Sequence, residues 1–141
     1  MDCKDSEIMK ILFGIRRWRP GFSAAQQRIE QRIREAVDEW IEQKGYTRLL
    51  PTLNSLAEDI GVPSDQLIVH IRKRTRKSVM AWRKELRIRE ARRLLLDYPE
   101  MPISIVGLMV GIDDKSNFKR QFAQLVGMQP RVWREKHLRR S

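Results

Sequence analysis

Apolar residues recur at helical spacing along most of the chain, and no segment shows the alternation that is typical of a strand. The clearest stripe predicts a helix over residues 24–43. Ser23 and Gln26 have the spacing of a capping box at its start, and Gly45 is a suitable stop. The apolar positions of this helix are Ile29, Ile33, Val37, Trp40 and Ile41.

Two pairs of short helices follow, and each pair is joined through a glycine, which is the outline of a helix-turn-helix. The first pair occupies residues 52–76, with Thr52 as its cap and Gly61 in its turn. The second pair occupies residues 103–126, with Gly111 in its turn. Its expected caps are Ser104 and Asp113, its stop is Gly127, and its inward positions include Phe118, Phe122 and Leu125.

A longer helix, predicted over residues 78–96, connects the two pairs and ends before the following prolines. A closing helix over residues 130–138 begins at a proline, which suits the first turn of a helix. The predicted fold is therefore all-α. Its divisions are a tail or linker at 1–22, an N-terminal helix at 23–45, and the two helix-turn-helix units with their connecting and closing helices at 46–141. Two roles stay open for the N-terminal helix, which are packing on the first pair and dimerisation.

An internal repeat underlies this division. Trp82-Arg83 recurs as Trp133-Arg134 at an offset of 51 residues, and Ile60-Gly61-Val62 recurs as Val110-Gly111-Ile112 at an offset of 50. Each tryptophan begins the helix that closes a pair, so we interpret both indoles as core residues. We interpret Arg83 and Arg134 as surface charges that lie near a phosphate backbone at best.

The net charge of the chain indicates the chemistry of its binding partner. Lysines and arginines number 29 against 18 aspartates and glutamates, which gives a formal net charge of +11. In a chain with 41% hydrophobic residues, such an excess indicates a polyanionic partner, either nucleic acid or an anionic membrane surface. No apolar run approaches the ~20 residues that span a bilayer. We therefore expect a soluble, cytoplasmic protein.

The sequence offers little that could carry catalysis. Cys3 is the single cysteine, and His70 and His137 lie far apart with no metal-ligand pattern. Asp113 and Asp114 stand at a predicted helix start, where the helix dipole favours a capping role. We find no nucleophile with a base, no phosphate-cradling glycine loop and no ligand cluster. We expect no enzyme, no cofactor and no metal site.

Residues 52–134 resemble the DNA-binding domain of AraC/XylS-type transcriptional regulators, in which two helix-turn-helix units form one monomeric reader. The second unit carries most of the resemblance, through Ile103, Val106, Gly111, Ser116, Phe118, Arg120, Phe122, Gly127, Pro130, Trp133 and Arg134. The first unit and the connecting helix add Leu56-Ala57, Gly61, Leu67, Trp82, Arg87-Ile88, Ala91 and Leu94-Leu95. The predicted N-terminal helix, with the sequence GYTRLLPTLNSLA after it, resembles the lead-in of Bacteroides-type members.

Four positions depart from the pattern of that family. Ile71 and Ile112 stand where phenylalanine is usual, which keeps both positions apolar. Arg76 replaces the glycine that usually ends the first reading helix, and Pro63 replaces its usual serine cap. The first reading helix is therefore the one whose placement the sequence leaves less defined.

The resemblance implies duplex DNA as the partner and fixes the groove-facing side of the second reading helix. Lysine and arginine donate to guanine O6 and N7, and serine hydrogen-bonds several base edges. The expected base readers there are Lys115, Ser116, Lys119 and Arg120. Arg120 has a local alternative, because Asp113 and Asp114 are near enough in sequence to anchor it.

The matching positions of the first reading helix hold Asp65, Ile68 and Val69. Aspartate accepts a hydrogen bond from cytosine N4, and aliphatic side chains contact the thymine methyl group, but none of the three reads guanine. Two interpretations stay open. Either this helix reads DNA with few hydrogen bonds, or its apolar face meets protein.

Phosphate contacts are expected where the first reading helix ends and the connecting helix begins. Residues 72–93 contain eleven basic and two acidic side chains. The expected phosphate contacts are Lys73, Arg76, Lys77, Ser78 and Arg131. The connecting helix is about 28 Å long at about 1.5 Å per residue. That length suits two reading helices in successive major grooves of one duplex face, which are ~34 Å apart.

Sequence-specific DNA binding that regulates transcription is the leading hypothesis. Its alternatives are a general, architectural nucleic-acid binder and a helical protein-interaction module, the latter because Asp65, Ile68 and Val69 read bases poorly. The resemblance leaves RNA polymerase and a fused or contacting sensor domain open as further partners. It also leaves open whether the chain stands alone or is the output part of a larger regulator.

Overall fold

The computed structural model of the chain describes residues 20–140, with the side chains of residues 24–140. This part contains seven α-helices and no strand, which confirms the all-α prediction. The helices are α1 (Pro20–Glu42), α2 (Leu53–Ile60), α3 (Ser64–Thr75), α4 (Val79–Asp97), α5 (Ile103–Met109), α6 (Lys115–Val126) and α7 (Pro130–Arg140), with a 3₁₀ turn at Gly45–Thr47. The predicted tail at residues 1–22 lies outside the described residues except for the start of α1.

The ends of α1 differ from the predicted ones. The helix begins at Pro20, so Ser23 lies inside it and the predicted capping box at Ser23 is wrong. Proline is tolerated in the first turn because the amide that it lacks would have no helical partner there. At the other end Lys44, with φ 57°, takes the left-handed conformation that we expected of Gly45.

The chain forms two compact modules. The first module comprises residues 20–43 and 52–79 of the described chain, and the second comprises residues 44–51 and 80–140. In the first module α1 packs against both α2 and α3, which is one of the two roles that the sequence left open for it. Its indole Trp40 Nε1 donates to Asp59 Oδ2 at 2.7 Å. The fully buried side chains of this module include Val37, Leu56, Leu67 and Ile71.

The second module has a core in which α6 is seated on α4, α5 and α7. The buried members of this core are Ile88, Ala91, Leu94, Leu95, Val106, Val110, Ile112, Phe118, Phe122 and Trp133. The rings of Phe122 and Trp133 meet edge to face with their centroids 5.8 Å apart. A Cβ atom on Gly107 would lie 2.8 Å from Phe118 Cγ, so this glycine allows α5 and α6 to approach closely. Leu125, predicted to face inward, is 43% exposed, because Val126 and Met128 pack against the core at this end of α6.

The helix caps follow the sequence in the first helix-turn-helix and depart from it in the second. Thr52 and Ser55 cap α2 reciprocally, as a capping box requires. The cap of α5 is Pro102, not Ser104. The proline has φ −57° and ψ 143°, which is outside the helical region, and the helix begins at the next residue, Ile103. The cap of α6 is Asp114, not Asp113, and its side chain accepts from the Asn117 amide at 2.8 Å.

The interpretation of Arg83 and Arg134 as surface charges is wrong. Arg83 is 8% exposed and donates from Nη1 to the Leu50 carbonyl at 2.6 Å. Arg134 donates from Nη1 to the Met101 carbonyl at 2.8 Å and from Nε to the Leu95 carbonyl at 2.9 Å. Both arginines therefore reach a carbonyl 33 residues earlier in the chain. The repeated Trp-Arg pair is structural in both of its residues.

We expect Arg134→Met to lower the free energy of unfolding by about 2 kcal/mol, because the carbonyls of Leu95 and Met101 lose a charged donor. Arg131→Met on the same helix is the matched control, since Arg131 is 82% exposed and pairs only with Glu135 among the described residues. Its expected cost is below about 0.5 kcal/mol. Urea unfolding followed by circular dichroism measures both. Equal midpoints for the two variants would contradict the structural role of Arg134.

Candidate nucleic-acid interface

The second reading helix, α6, is held with one face in the core and the other toward solvent. Phe118 and Phe122 are fully buried one turn apart, with ring centroids 6.0 Å apart. The Asp114 cap fixes where the helix begins, since its carboxylate accepts from the amide of Asn117. The rotation and the register of α6 are therefore set by its own sequence together with the core beneath it.

The structure leaves all four predicted readers of α6 accessible to solvent and brings three of them together. Lys115, Ser116 and Arg120 are exposed and Lys119 is half-buried. Ser116, Lys119 and Arg120 line one shallow groove on the surface of the second module. Arg120 Nη2 donates to Asn117 Oδ1 at 2.7 Å, so its local anchor is Asn117 and neither of the aspartates that the sequence suggested. The groove thus presents an amine, a guanidinium and a hydroxyl as hydrogen-bonding groups, and Lys115 adds a second amine at the start of the helix.

Two further residues share this surface and were missed from the sequence. Gln124 and Gln129 line the same groove as the predicted readers. Gln124 follows Ser116 and Arg120 at steps of four, so the helical period alone could have found it. Gln129 precedes α7, and no local pattern connects it with α6. Both carry an amide that donates and accepts, which is the group that pairs with adenine N6 and N7.

The first reading helix, α3, presents a different surface. Leu67 and Ile71 are fully buried, so Asp65 and Ile68 lie on exposed positions and Val69 is half-buried. Arg72, which is not among the predicted contacts, is also exposed and follows Ile68 by one helical turn. The outward side of α3 therefore combines an acid, two aliphatic groups and a guanidinium, and it offers fewer donors than α6.

The basic end of α3 is partly engaged by α1. Lys73 Nζ lies 3.5 Å from Glu30 Oε2, so the charge of this predicted phosphate contact is already paired within the module. Arg76 holds a left-handed conformation with φ 62°, which ends the helix where the family pattern has glycine. Lys77 and Ser78 are exposed just after this stop. The Lys77 amide donates to Thr75 Oγ1 at 3.2 Å, which holds the backbone of the turn.

Only some of the basic side chains along α4 are exposed without an internal partner among the described residues. Arg87 donates from Nε to the Tyr46 carbonyl at 2.5 Å and from Nη2 to the Arg48 carbonyl at 2.8 Å. Burial, followed by the nearby charge of Arg83, lowers the pKa of Arg87 to about 10, so Arg87 stays charged at neutral pH. Arg93 pairs with Glu90 and with Asp97. These arginines serve the second module internally or are ion-paired.

On α7, Arg131 is exposed and its Nε lies 3.4 Å from Glu135 Oε1. An ion pair at this exposure costs little to break, so Arg131 keeps its charge available to a phosphate.

In the portion of the chain that the structure describes, no helix is both long and apolar enough to cross a membrane.

Comparison with known proteins assigns this arrangement to a family. The model of a helix-turn-helix domain family matches residues 56–136. The arabinose operon regulatory proteins of Salmonella typhimurium and Escherichia coli are each 36% identical to the chain over 80 residues. The match covers 57% of this chain but only 28% and 27% of those two proteins, so the chain spans about a quarter of the length of the curated relatives that it matches.

Two solved structures share the fold. The C-terminal domain of the two-component response regulator yesN from Fusobacterium nucleatum has a TM-score of 0.62 at 25% identity, covering 72% of this chain and 96% of that domain. The C-terminal domain of AraT, a response regulator from Geobacillus stearothermophilus, has a TM-score of 0.64 at 29% identity. That match covers 74% of this chain and 84% of the domain.

Proposed function

Because this chain belongs to the AraC-type helix-turn-helix family of DNA-binding transcriptional regulators, we propose that it binds duplex DNA sequence-specifically. In this proposal α6 lies in a major groove and reads bases through Lys115, Ser116 and Lys119. The observation that carries it is the solvent-accessible side of α6, where Lys115 and Ser116 are exposed and Lys119 is half-buried, while Phe118 and Phe122 of the same helix are fully buried. Arg120, held by Asn117, is the fourth base contact.

The two reading helices contribute unequally to base recognition in this proposal. The α6 face offers donors for guanine and, through Gln124 and Gln129, amides for adenine. The α3 face has Asp65, Ile68 and Val69 as base contacts, which favour cytosine and thymine without a bidentate pair. Arg76, Lys77, Ser78 and Arg131 contact phosphates, which position the protein but carry no sequence information. Lys73, the fifth predicted phosphate contact, has its charge paired with Glu30. We infer that α6 sets the preferred sequence and that α3 mainly sets the register.

The relatives suggest how such a domain is used. Two of the similar structures are C-terminal domains of response regulators, so we propose that this domain is the output part of a regulatory system and receives its signal from a sensor domain. Transcription regulation in turn implies contact with RNA polymerase and a location on DNA in the cytoplasm. We also propose that α1 with the 3₁₀ turn after it corresponds to the lead-in of Bacteroides-type members.

Selection of bound sequences from a random duplex pool tests the proposed function. We expect a consensus with one strongly specified half, bound by α6, and a weaker half at the position of α3. Recovery of unenriched sequences together with tight, salt-sensitive binding would instead identify an architectural nucleic-acid binder. Absence of duplex binding at physiological salt would favour the helical protein-interaction module.

A further inference from the structure

A groove of about 470 Å³ runs between α1 and α3 within the first module. Its α3 wall includes Asp65 and Val69, which are two of the proposed base contacts. Its α1 wall includes Glu30, Ile33 and Arg34. The groove therefore adjoins the face of α3 that would enter the DNA, and α1 stands directly beside that face.

The dimensions of duplex DNA determine what α1 would meet in this position. The major groove is about 12 Å wide, and an α-helix with its side chains is about 10–12 Å in diameter, so the groove admits one helix. A second helix packed against the first has its axis about 8–10 Å away. With α3 in the major groove, α1 cannot follow it in and lies over the adjacent sugar–phosphate strand.

The cations at this groove differ in their pairing. Lys73 is paired with Glu30, and Arg74 Nη1 lies 2.8 Å from Asp38 Oδ1. Arg34 is exposed, and no carboxylate within residues 24–140 pairs with it. Among these three cations, Arg34 is therefore the one whose charge is left for an external anion.

The interior of the groove contains a neutral histidine and an acidic side chain. His70 is half-buried in it, and burial, followed by the charges of Arg74 and Arg34, lowers its pKa, so its ring is neutral at neutral pH. Glu30 Oε1 and His70 Nε2 are buried without a hydrogen-bond partner among the described residues. The carboxylate of Glu30 thus lines the same groove as Arg34 and pairs with Lys73.

We propose that the groove between α1 and α3 binds the sugar–phosphate strand that flanks the major groove occupied by α3. Arg34 donates to one phosphate of this strand, and the negative charge of Glu30 repels the same phosphate. This inference rests on the proposed function, because it places α3 in a major groove. It extends the DNA interface from the two reading helices to α1. It also explains how α3, with few donors for bases, keeps its place on the duplex.

Three single variants of the full chain test the inference on the selected duplex. Arg34→Gln removes the proposed contact. Arg32→Gln is the matched control, since it removes the same charge from the same helix at an exposed position that does not line the groove. Two residues apart on a helix, the side chains point roughly 200° apart, so Arg32 faces away from the strand. Glu30→Gln is nearly isosteric and removes the carboxylate charge that pairs with Lys73.

Fluorescence anisotropy over a range of salt concentrations gives the readout. One phosphate contact contributes about 0.9 to the slope of log K against log salt, so Arg34→Gln should flatten the slope by about 0.9 and weaken binding about eightfold at about 0.1 M salt. Arg32→Gln should change affinity less than about twofold, because its charge is exposed and remote from the strand. Glu30→Gln should tighten binding several-fold. Melting curves confirm that each variant is folded.

Phosphate ethylation interference locates the contact. Ethylation of one phosphate beside the α3 half of the site should weaken binding of the unmodified chain and have no effect on Arg34→Gln. Equal losses for Arg34→Gln and Arg32→Gln, or weaker binding by Glu30→Gln, would overturn the inference while the proposed function stands. Failure of the unmodified chain to bind duplex DNA would instead sink the proposed function itself.

Discussion

Replacing Gly111 with alanine is expected to lower the free energy of unfolding by about 2–6 kcal/mol. Gly111 has φ 91°, a conformation that costs an alanine roughly 1–3 kcal/mol. The added Cβ would also collide with the carbonyl oxygen of Thr47 and lie 2.9 Å from Arg87 Nη2. Because Arg87 is itself held by two carbonyls, neither neighbour can move freely, and the crowding adds roughly 1–3 kcal/mol.

Two other glycines serve as matched controls for this prediction. Gly61 and Gly127 have φ 88° and 91°, and a Cβ at either position would meet nothing within 4 Å. Gly61 also takes the turn position in the first helix-turn-helix that Gly111 takes in the second. Alanine at Gly61 or Gly127 should cost only the backbone strain, roughly 1–3 kcal/mol. Urea unfolding of the three variants measures the difference, and equal costs would show that the contact with Thr47 does not constrain the fold.

Removing both lysines of α6, as Lys115→Ala with Lys119→Ala, is expected to weaken binding to the selected site roughly 100-fold or more. Each bidentate lysine–guanine contact contributes roughly 1–3 kcal/mol of discrimination, and each 1.4 kcal/mol corresponds to about tenfold in affinity. Binding to unrelated duplex should fall much less, since it depends on phosphates. The ratio of specific to non-specific affinity, measured by competition with a scrambled duplex, should therefore collapse.

Lys77→Ala is the comparison that separates reading from charge. It removes one exposed positive charge from the turn just before α4, in the first module. We expect it to weaken specific and non-specific binding alike, about eightfold at about 0.1 M salt, with the salt slope flatter by about 0.9. The same loss of selectivity for Lys77→Ala as for the α6 variant would contradict base reading by Lys115 and Lys119.

The periodicity of the apolar residues predicted the helices of both pairs closely. Leu67, Ile71, Phe118 and Phe122 are fully buried as predicted, and the left-handed glycines Gly61 and Gly127 end their helices where expected. Helix starts were less predictable, because several neighbouring residues are able to cap. The cap of α5 is Pro102, two residues before the expected Ser104. The cap of α6 is Asp114, one residue after the expected Asp113.

The role of the repeated arginines needed the structure, although part of its signal was in the sequence. The repeat at an offset of 51 extends from the Trp-Arg pairs to Leu50-Pro51 and Met101-Pro102. Arg83 donates to the carbonyl of Leu50, and Arg134 donates to the carbonyl of Met101. Backbone carbonyls are alike in every residue type, so a sequence pattern cannot identify which of them accepts from a given arginine.

The sequence by itself determined which face of each reading helix turns inward, because burial of apolar residues repeats with the helical period and needs only local information. That face also decides which side chains of α3 and α6 are offered to DNA. Only the tertiary structure decided which basic residues are available to DNA at all. Arg83, Arg87 and Arg134 are used by carbonyls far along the chain, and Lys73 is held by Glu30, whereas Arg34 stays unpaired within residues 24–140. The reason is that a charge finds its partner across packed helices, at distances in sequence that no local pattern encodes.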